Sequence, residues 1–284
     1  MIVLSVIDEK NILQIDVEDW FCDLPVVEWK NYESRVVQST RKILSILKER
    51  NTKATFFVLG SVARSHPELV KSIKNDGHEV ASHGYYHTPV TRQNPEEFEE
   101  DLCLSLEVLE DIIREPILGY RAPQFSIVEK TGWAIGVLKR NGLKYDSSVF
   151  PVKTHLYGVP NAPRFPYHIS PYNIEKNSSS NNNLLEFPLS VYRFLGKNIP
   201  IAGGFYLRFF PYWFISHAIK KINKSGYPAV CYLHPWELDV NQPRVRGLGW
   251  YHYYRLSSTE SKFRKLLEDF KFTSTKNWID THEI

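Results

Sequence analysis

The sequence predicts an α/β fold in which the strands of a parallel sheet alternate with crossover helices. Two observations support this prediction. A strand-then-helix rhythm recurs about seven times, and polar side chains recur just past the C-terminal ends of the strands. This rhythm is typical of a parallel sheet that is either closed into a barrel or doubly wound. The 284 residues suit one large domain, since α/β barrels commonly reach this size as a single unit.

Short apolar runs bounded by turn residues predict the strands. We place them at Asn11–Val17, Lys53–Leu59, Glu79–Ala81, Ile117–Tyr120, Leu184–Pro188 and Pro228–Leu233. Apolar residues at helical spacing, with capping and stop signals, predict the helices. These fall at Val36–Arg50, Ser65–Asn75, Asn94–Arg114, Thr131–Asn141, Tyr212–Ser225 and Thr259–Phe270.

Residues 151–183 interrupt the rhythm. They are rich in Pro, Tyr, His and Asn, and they end in the polar run 177–183. We expect a loop excursion over one face of the domain, with that run as a flexible surface loop. His155 and His168 lie in this excursion and could contact a substrate, although their spacing does not indicate it.

Composition excludes several classes of protein. The chain is 43% hydrophobic and 24% charged, with a formal net charge of +3 and its Lys and Arg residues spread along the sequence, so we expect no nucleic-acid partner. The apolar run at 2–7 is too short for a signal peptide, and no stretch approaches the ~20 apolar residues of a membrane span. We therefore predict a cytoplasmic protein with, at most, peripheral membrane contact. The widely spaced Cys22, Cys103 and Cys231 indicate reduced thiols.

A histidine pair, His83 and His87, follows the third predicted strand. Alone, such a pair is more often one core and one surface histidine. However, an acidic cluster, Asp16-Val-Glu-Asp19, follows the first strand, and the C-terminal ends of parallel strands meet at one edge of the sheet. Two imidazoles and one carboxylate with open positions make a catalytic site for zinc or a similar divalent ion.

The acidic cluster leaves the third ligand open. Asp16 and Glu18 are two residues apart on a strand, so their side chains point to one face, where one could bind the metal while the other takes a proton from water. Asp19 is the alternative ligand, because the strand could turn after Val17.

Two more polar residues follow predicted strands. Arg121, before Ala-Pro, could lie beside a carboxylate base and keep it ionised. His234, before Pro235, could be the general acid that protonates a leaving amine.

Taken in order, these motifs resemble those of the polysaccharide deacetylase family, which is carbohydrate esterase family four and carries the NodB-homology domain. The motifs that carry the resemblance are Asp16-Val-Glu-Asp19, Ser82-His-Gly-Tyr-Tyr-His87, Arg121-Ala-Pro123 and Leu233-His234. The resemblance implies a distorted (β/α)7 barrel over residues 11–236, with a C-terminal extension at 237–284 packed on it. It also implies a divalent metal, usually zinc, and removal of acetyl groups from glycans.

The resemblance assigns a role to each matched residue. It implies that Asp16 is the base, His83 and His87 are metal ligands, Arg121 tethers the base and His234 is the acid. The sequence departs from the commonest pattern of two adjacent aspartates, since Val17 follows Asp16. A minority branch has an acid two positions on, which makes Glu18 the ligand and leaves Asp19 in reserve.

Further motifs refine the resemblance. Gly203-Gly-Phe-Tyr-Leu-Arg208 and His234-Pro-Trp-Glu-Leu-Asp239 resemble a subgroup associated with exopolysaccharide synthesis and exosortase loci. We therefore predict a metal-dependent hydrolase that removes an N-acetyl or O-acetyl group from an amino-sugar polysaccharide or its lipid-linked precursor. The alternatives are a hydrolase of small amides or cyclic imides, and a non-catalytic glycan-binding barrel.

Overall fold

The computed structural model describes residues 10–154, 157–178 and 184–282. His155 and the end of the predicted surface loop, 179–183, lie outside the described residues. The chain forms two compact units. The described part of the first unit comprises residues 10–56, 75–79 and 201–282, and that of the second comprises 57–74 and 80–200 with the gaps already given.

Most of the strands are short. They are β1 Asn11–Val17, β2 Thr55–Val58, β3 Glu79–Ser82, β4 Gly119–Tyr120, β5 Tyr145–Asp146, β6 Tyr167–His168, β7 Leu185–Glu186, β8 Val191–Phe194, β9 Lys197–Pro200, β10 Val230–Leu233 and β11 Phe272–Thr273. The boundary between the units falls within β2 and β3. Strand order in the first unit is β10-β1-β2, with β11 also on β1, and in the second it is β3-β4-β5-β7-β6.

Ten α-helices connect and flank the strands of the described residues. They are α1 Val36–Glu49, α2 Gly60–Ser65, α3 Pro67–Asn75, α4 Pro95–Ile113, α5 Trp133–Arg140, α6 Gly204–Phe209, α7 Tyr212–Lys224, α8 Trp250–Tyr253, α9 Thr259–Asp269 and α10 Thr275–His282. None of these described helices is both long enough and apolar enough to cross a bilayer.

Helix α4 shows how sequence signals set these bounds. Asn94 accepts a hydrogen bond from the Glu97 N–H, and the Glu97 carboxylate accepts one from the Asn94 N–H, so the first turn is capped in both directions. Pro95 occupies the first helical position, where no N–H is needed. The helix begins within a residue of its predicted start.

Strand β1 is the centre of the first unit. All seven of its residues are buried, and it pairs in parallel with β10, with Ile15 opposite Leu233. Thr275 also ties the C-terminal part of the chain to this unit, since its hydroxyl lies 3.1 Å from Gln14 Nε2 and 3.0 Å from Thr55 Oγ1.

The second unit continues the parallel pattern and adds an antiparallel part. β4 pairs with β5 and β5 with β7, all in parallel, whereas β6 runs antiparallel to β7. β8 and β9 form a separate antiparallel hairpin, which was not predicted. Within the 151–183 excursion, β6 is ordered secondary structure. Gly60, just after the second predicted strand, begins the short helix α2, which was not predicted.

Candidate active site

In the first unit, Asp16 at the C-terminal end of β1 and Glu18 just after the strand both lie beside His234. The parallel register pairs Ile15 with Leu233. The next residue along each chain is Asp16 in one case and His234 in the other, and these two side chains therefore face each other. His234 Nε2 lies 3.9 Å from Asp16 Oδ2 and 3.6 Å from Glu18 Oε1. Both carboxylates are buried. The imidazole of His234 therefore lies next to two carboxylates, an arrangement that suits acid–base chemistry.

Asp19 has a different environment. Its carboxylate accepts hydrogen bonds from Ser34 Oγ at 2.5 Å, the Arg35 N–H at 2.9 Å and the Trp20 N–H at 3.3 Å. Burial raises the pKa of Asp19, and these hydrogen bonds oppose the rise. The carboxylate therefore ties the chain after β1 to the chain before α1.

His234 is held from its other side by Glu237. Its Nδ1 lies 3.3 Å from Glu237 Oε2, and its own backbone N–H donates to the same oxygen at 3.0 Å. Glu237 Oε1 in turn accepts from Arg208 Nη2 at 2.8 Å, and both side chains of this ion pair are 1% exposed. The imidazole is thus fixed with Nε2 directed at Asp16 and Glu18.

The charges around His234 set its protonation. Burial lowers the pKa of His234, but Glu18, Glu237 and Asp16 outweigh that effect and raise it to about 9. Burial raises the pKa of Glu237, while Arg208 and His234 lower it more, so the net shift is downward. An ionised Glu237 beside a protonated His234 is the expected state in this structure.

Trp236 orients Glu18. Its indole Nε1 donates to Glu18 Oε1 at 3.1 Å. The ring stacks between His234, with centroids 5.0 Å apart, and His252, with centroids 4.0 Å apart. Burial lowers the pKa of His252 to about 4, so this ring stacks as a neutral imidazole, and its Nε2 lies 2.8 Å from Gln242 Oε1.

In the second unit, the loop after β3 carries His83 and His87, both buried, with ring centroids 5.2 Å apart. His83 Nδ1 lies 2.9 Å from the Arg121 carbonyl oxygen. A carbonyl only accepts, so Nδ1 carries the proton and Nε2 is the unprotonated nitrogen of the ring. His87 adopts a left-handed φ of 57°, a conformation that is concentrated at functional sites.

Asp101 on α4 holds this loop. Its two oxygens accept from the Tyr85 N–H at 2.7 Å and the Tyr86 N–H at 3.1 Å. Gly84 takes a φ of 75°, and an added Cβ would lie 2.9 Å from Asp101 Oδ2. The loop between the two histidines is therefore fitted against one carboxylate.

Arg121 is fully buried. Its Nε donates to the Ser147 carbonyl and its Nη2 to Ser147 Oγ, each at 2.8 Å. The guanidinium carbon lies 4.4 Å from the centroid of the Phe57 ring. The planar group of this buried arginine is fixed by the segment after β5. Its place beside a carboxylate base stays a prediction.

The candidate metal ligands are Glu18 in the first unit and His83 and His87 in the second, and all three side chains are buried. Two nitrogen donors and one carboxylate match the ligand set of catalytic zinc and related divalent ions.

Several residues that shape the site were not predicted. They are Arg208, Trp236, Glu237 and Asp101. The only signal for Glu237 was its place three residues after His234, which also allows it to cap that backbone N–H. His78, expected to be structural, accepts from the Ala54 N–H and packs on Phe56. His168 lies in β6, half-buried, and its contact with substrate stays a prediction.

Two family models match this chain. Residues 29–145 match the polysaccharide deacetylase family, and residues 147–280 match a domain of unknown function, DUF3473. The chain carries a polysaccharide deacetylase domain. The resemblance to that family is confirmed, whereas the exopolysaccharide-associated subgroup stays a prediction.

Curated relatives are similar over part of their length. A peptidoglycan-N-acetylglucosamine deacetylase of Bacillus cereus is 38% identical over 89 residues, which are 31% of this chain and 30% of the relative. A peptidoglycan deacetylase of Helicobacter pylori is 31% identical over 108 residues, which are 38% of this chain and 36% of the relative. This chain therefore aligns with about a third of each of these relatives.

Solved structures show the fold over nearly the whole chain. A candidate polysaccharide deacetylase of Mycobacterium smegmatis matches with a TM-score of 0.63 at 20% identity, covering 99% of this chain and 93% of the other. The peptidoglycan deacetylase PdaC of Bacillus subtilis matches at 0.50 and 15% identity, covering 98% and 94%. The predicted α/β barrel-type fold is confirmed. The domain boundary at 236–237 stays a prediction.

Proposed function

We propose that this protein is a metal-dependent deacetylase that removes the N-acetyl group from an amino sugar of a polysaccharide or its precursor. The observation that carries the proposal is the pair of buried carboxylates, Asp16 and Glu18, which both face His234 Nε2. The deacetylase family supports the reaction class, and the two curated relatives are peptidoglycan deacetylases.

The donor set suits Zn²⁺, with Glu18, His83 and His87 as protein ligands and Asp19 engaged elsewhere. When bound, such an ion lowers the pKa of water to about 7 and polarises the acetyl carbonyl. His83 is prepared for this role by its Nδ1–H bond to a carbonyl, and Glu18 by the Trp236 indole. Both contacts fix the direction of a ligand lone pair.

Asp16 and His234 divide the proton transfers. Asp16 takes a proton from the attacking water, whose oxygen forms a bond to the acetyl carbon. His234 Nε2–H then donates its proton to the amine nitrogen as the carbon–nitrogen bond breaks, and the products are acetate and the free amino sugar. Glu237 supports the donor form of His234, and Arg121 is proposed to tether the base.

The finer parts of the proposal rest on the sequence alone. They are a lipid-linked precursor as substrate, a role in exopolysaccharide synthesis and a cytoplasmic location.

The test compares Asp16→Asn with Asp111→Asn, a change in an exposed carboxylate paired with Arg114. Acetate release from N-acetylglucosamine oligomers and peptidoglycan should fall about 10²- to 10⁴-fold in the first variant and stay at the parent rate in the second. Metal content, measured by elemental analysis, should stay near that of the parent in both.

Other outcomes would overturn parts of the proposal. Hydrolysis by Asp16→Asn at the parent rate would remove Asp16 as the base. Turnover of cyclic imides with no release of acetate from sugars would point to the small-amide alternative. Purified protein that neither holds nor responds to a divalent metal would favour a glycan-binding barrel.

A further inference from the structure

Aromatic residues are concentrated in two segments of the first unit. Seven of the ten residues at 205–214 are aromatic, and 250–254 contains a Trp and three Tyr. The first segment forms α6 and the start of α7, and the second forms α8 and the residue after it.

Rings from these segments form one continuous surface. The centroid of Phe205 lies 6.0 Å from that of Trp250 and 6.4 Å from that of Tyr251. Phe209 lies 5.7 Å from Phe205 and 6.1 Å from Tyr254. Among the described residues, Trp213 has no direct contact of this kind with these rings, and it is connected to Phe209 through Phe214 and Phe210. We call Phe205, Phe209, Trp213, Trp250, Tyr251 and Tyr254 the aromatic face.

Much of this face is open to solvent. Trp213 is 69% exposed, Trp250 66%, Phe209 46% and Tyr251 43%. Nearly half or more of each of these four residues is therefore accessible to solvent. Contiguous exposed apolar surface of this kind marks a binding surface in soluble proteins.

The segment that carries Trp250, Tyr251 and Tyr254 is positively charged. Residues 240–258 contain Arg244, Arg246 and Arg255, all exposed, and no Asp or Glu. The Arg255 guanidinium lies 5.9 Å from the Tyr254 ring centroid. Exposed acids also lie near the edge of the face: Asp269, which is bonded to Tyr212 and Lys265, Glu268, whose charge acts on Tyr212, and Asp23, whose charge acts on Tyr251.

We propose that the aromatic face docks on the surface of a lipid bilayer that contains anionic headgroups. Trp and Tyr are the residues that settle at the headgroup level, because each has an apolar ring and a polar tip. Phe205 and Phe209 lack a polar tip, which suits the acyl boundary better than a sugar. Exposed arginines next to such rings attract anionic phosphates.

The test is co-sedimentation of the full chain with two kinds of vesicle. One kind contains phosphatidylcholine alone, and the other contains phosphatidylcholine with about 30% phosphatidylglycerol. We expect binding to the anionic vesicles that weakens at high salt. Trp213→Ala/Trp250→Ala should lower the partition coefficient about tenfold or more. Arg246→Gln and Arg255→Gln should each lower it about fivefold.

Matched controls show whether vesicle binding depends on the aromatic face or on any exposed ring or arginine of the protein. Tyr172→Ala changes a ring that is 96% exposed in the second unit, and Arg114→Gln changes an exposed arginine of the same unit. Both should bind vesicles like the parent. Asp16→Asn should also bind like the parent, so failure of the deacetylase proposal leaves this measurement unaffected.

Three results would overturn the proposal. The first is equal partition of the parent and the Trp213→Ala/Trp250→Ala variant. The second is that the parent binds peptidoglycan but not vesicles, and that the double variant no longer binds peptidoglycan; the aromatic face would then be a glycan-binding surface. The third is a parent dimer in solution that the double variant converts to a monomer, with no vesicle binding, which would assign the face to a second copy of the chain.

Discussion

Two fully buried pairs of ionisable side chains, one in each unit, differ in how their charge is compensated. In the first unit, Glu237 is bonded to Arg208 at 2.8 Å, and its pKa is lowered on balance. In the second, Asp146 and Glu186 are neighbours on parallel strands and hydrogen-bond to each other. Burial raises the pKa of Asp146 to about 6 and that of Glu186 well above its ordinary value.

The difference shows that the partner of a buried acid decides its protonation. Both pairs lose hydration, but Glu237 is bonded directly to a guanidinium, whereas the Arg121 charge lowers the pKa of Asp146 and Glu186 less than burial raises it. Glu237 therefore stays ionised and can hold His234 by its Nδ1. Two carboxylates that face each other instead retain a proton between them, and the pair serves to join β5 to β7.

The largest expected effect comes from removing Arg208. Arg208→Met leaves Glu237 as a buried, uncompensated acid, and Arg208 also donates to the His252 and Gly204 carbonyls. We expect the free energy of unfolding to fall by about 3–5 kcal/mol, measured by urea denaturation.

The double variant Arg208→Met/Glu237→Leu sharpens this prediction. It removes the unpaired charge, so it should recover much of the lost stability while deacetylation stays low, because His234 has lost its partner. If the double variant is as unstable as Arg208→Met, the loss does not arise from an unpaired charge.

Gly204 tests the packing around the same pair. An added Cβ would collide with the Glu237 carboxylate, so Gly204→Ala must displace it from Arg208. We expect a loss of about 1–3 kcal/mol. Gly136→Ala is the matched control inside α5, where the nearest atom would be 3.8 Å away, and it should be neutral or add about 0.5–1 kcal/mol. Equal effects of the two substitutions would contradict the steric argument.

The carboxylate pair predicts a pH effect of opposite sign to that of a salt bridge. Because the folded pKa values lie above the unfolded ones, the folded state holds more protons above about pH 4, and its stability falls as pH rises through about 6. In Glu186→Gln the amide can donate to Asp146 while its oxygen keeps the bond from the Val149 N–H. No shared proton is then needed.

The measurement is the free energy of unfolding of parent and Glu186→Gln at pH 5 and pH 8. We expect the variant to gain about 1–2 kcal/mol relative to the parent over this range. Glu99→Gln is the control without a pH effect in this range, since Asn141 and Arg140 lower the pKa of Glu99, so its contribution is lost only below its ordinary pKa and should change little between pH 5 and pH 8. A difference between parent and Glu186→Gln that does not vary with pH would contradict the shared proton.

The sequence indicated the groups that lie at the C-terminal ends of strands. Asp16, His83, Arg121 and His234 each lie at or just beyond a strand end, so finding them needed no knowledge of strand order. Glu186 was not found because its pairing with Asp146 depends on β7 lying next to β5, which local pattern does not reveal.

Other features were hidden for local reasons. Arg208 lies inside an aromatic run and is compensated only by a residue that is 29 positions away in sequence. Helix α2 has only six residues and begins at Gly60, a residue type that disfavours helix, so its sequence does not predict it. Asp101 belongs to an acidic stretch of α4 and looks like a solvent-exposed helical acid, although the Tyr85 and Tyr86 backbone N–H groups bond to it.

Asp101 also gives the smallest and most specific prediction. Its two oxygens each accept one backbone N–H of the loop between His83 and His87, and an asparagine offers only one acceptor oxygen. Asp101→Asn should therefore leave one N–H without its bond and loosen the histidine pair. We expect metal affinity to fall about tenfold, measured by competition with a chromogenic chelator.

Glu100→Gln removes the same charge from the exposed neighbour on α4 and should keep the parent affinity. If both variants bind metal equally well, Asp101 holds the loop without tuning the ligands. If Asp101→Asn loses metal affinity but Asp101→Glu binds metal like the parent, the effect comes from the charge of Asp101 and not from the geometry of its two hydrogen bonds.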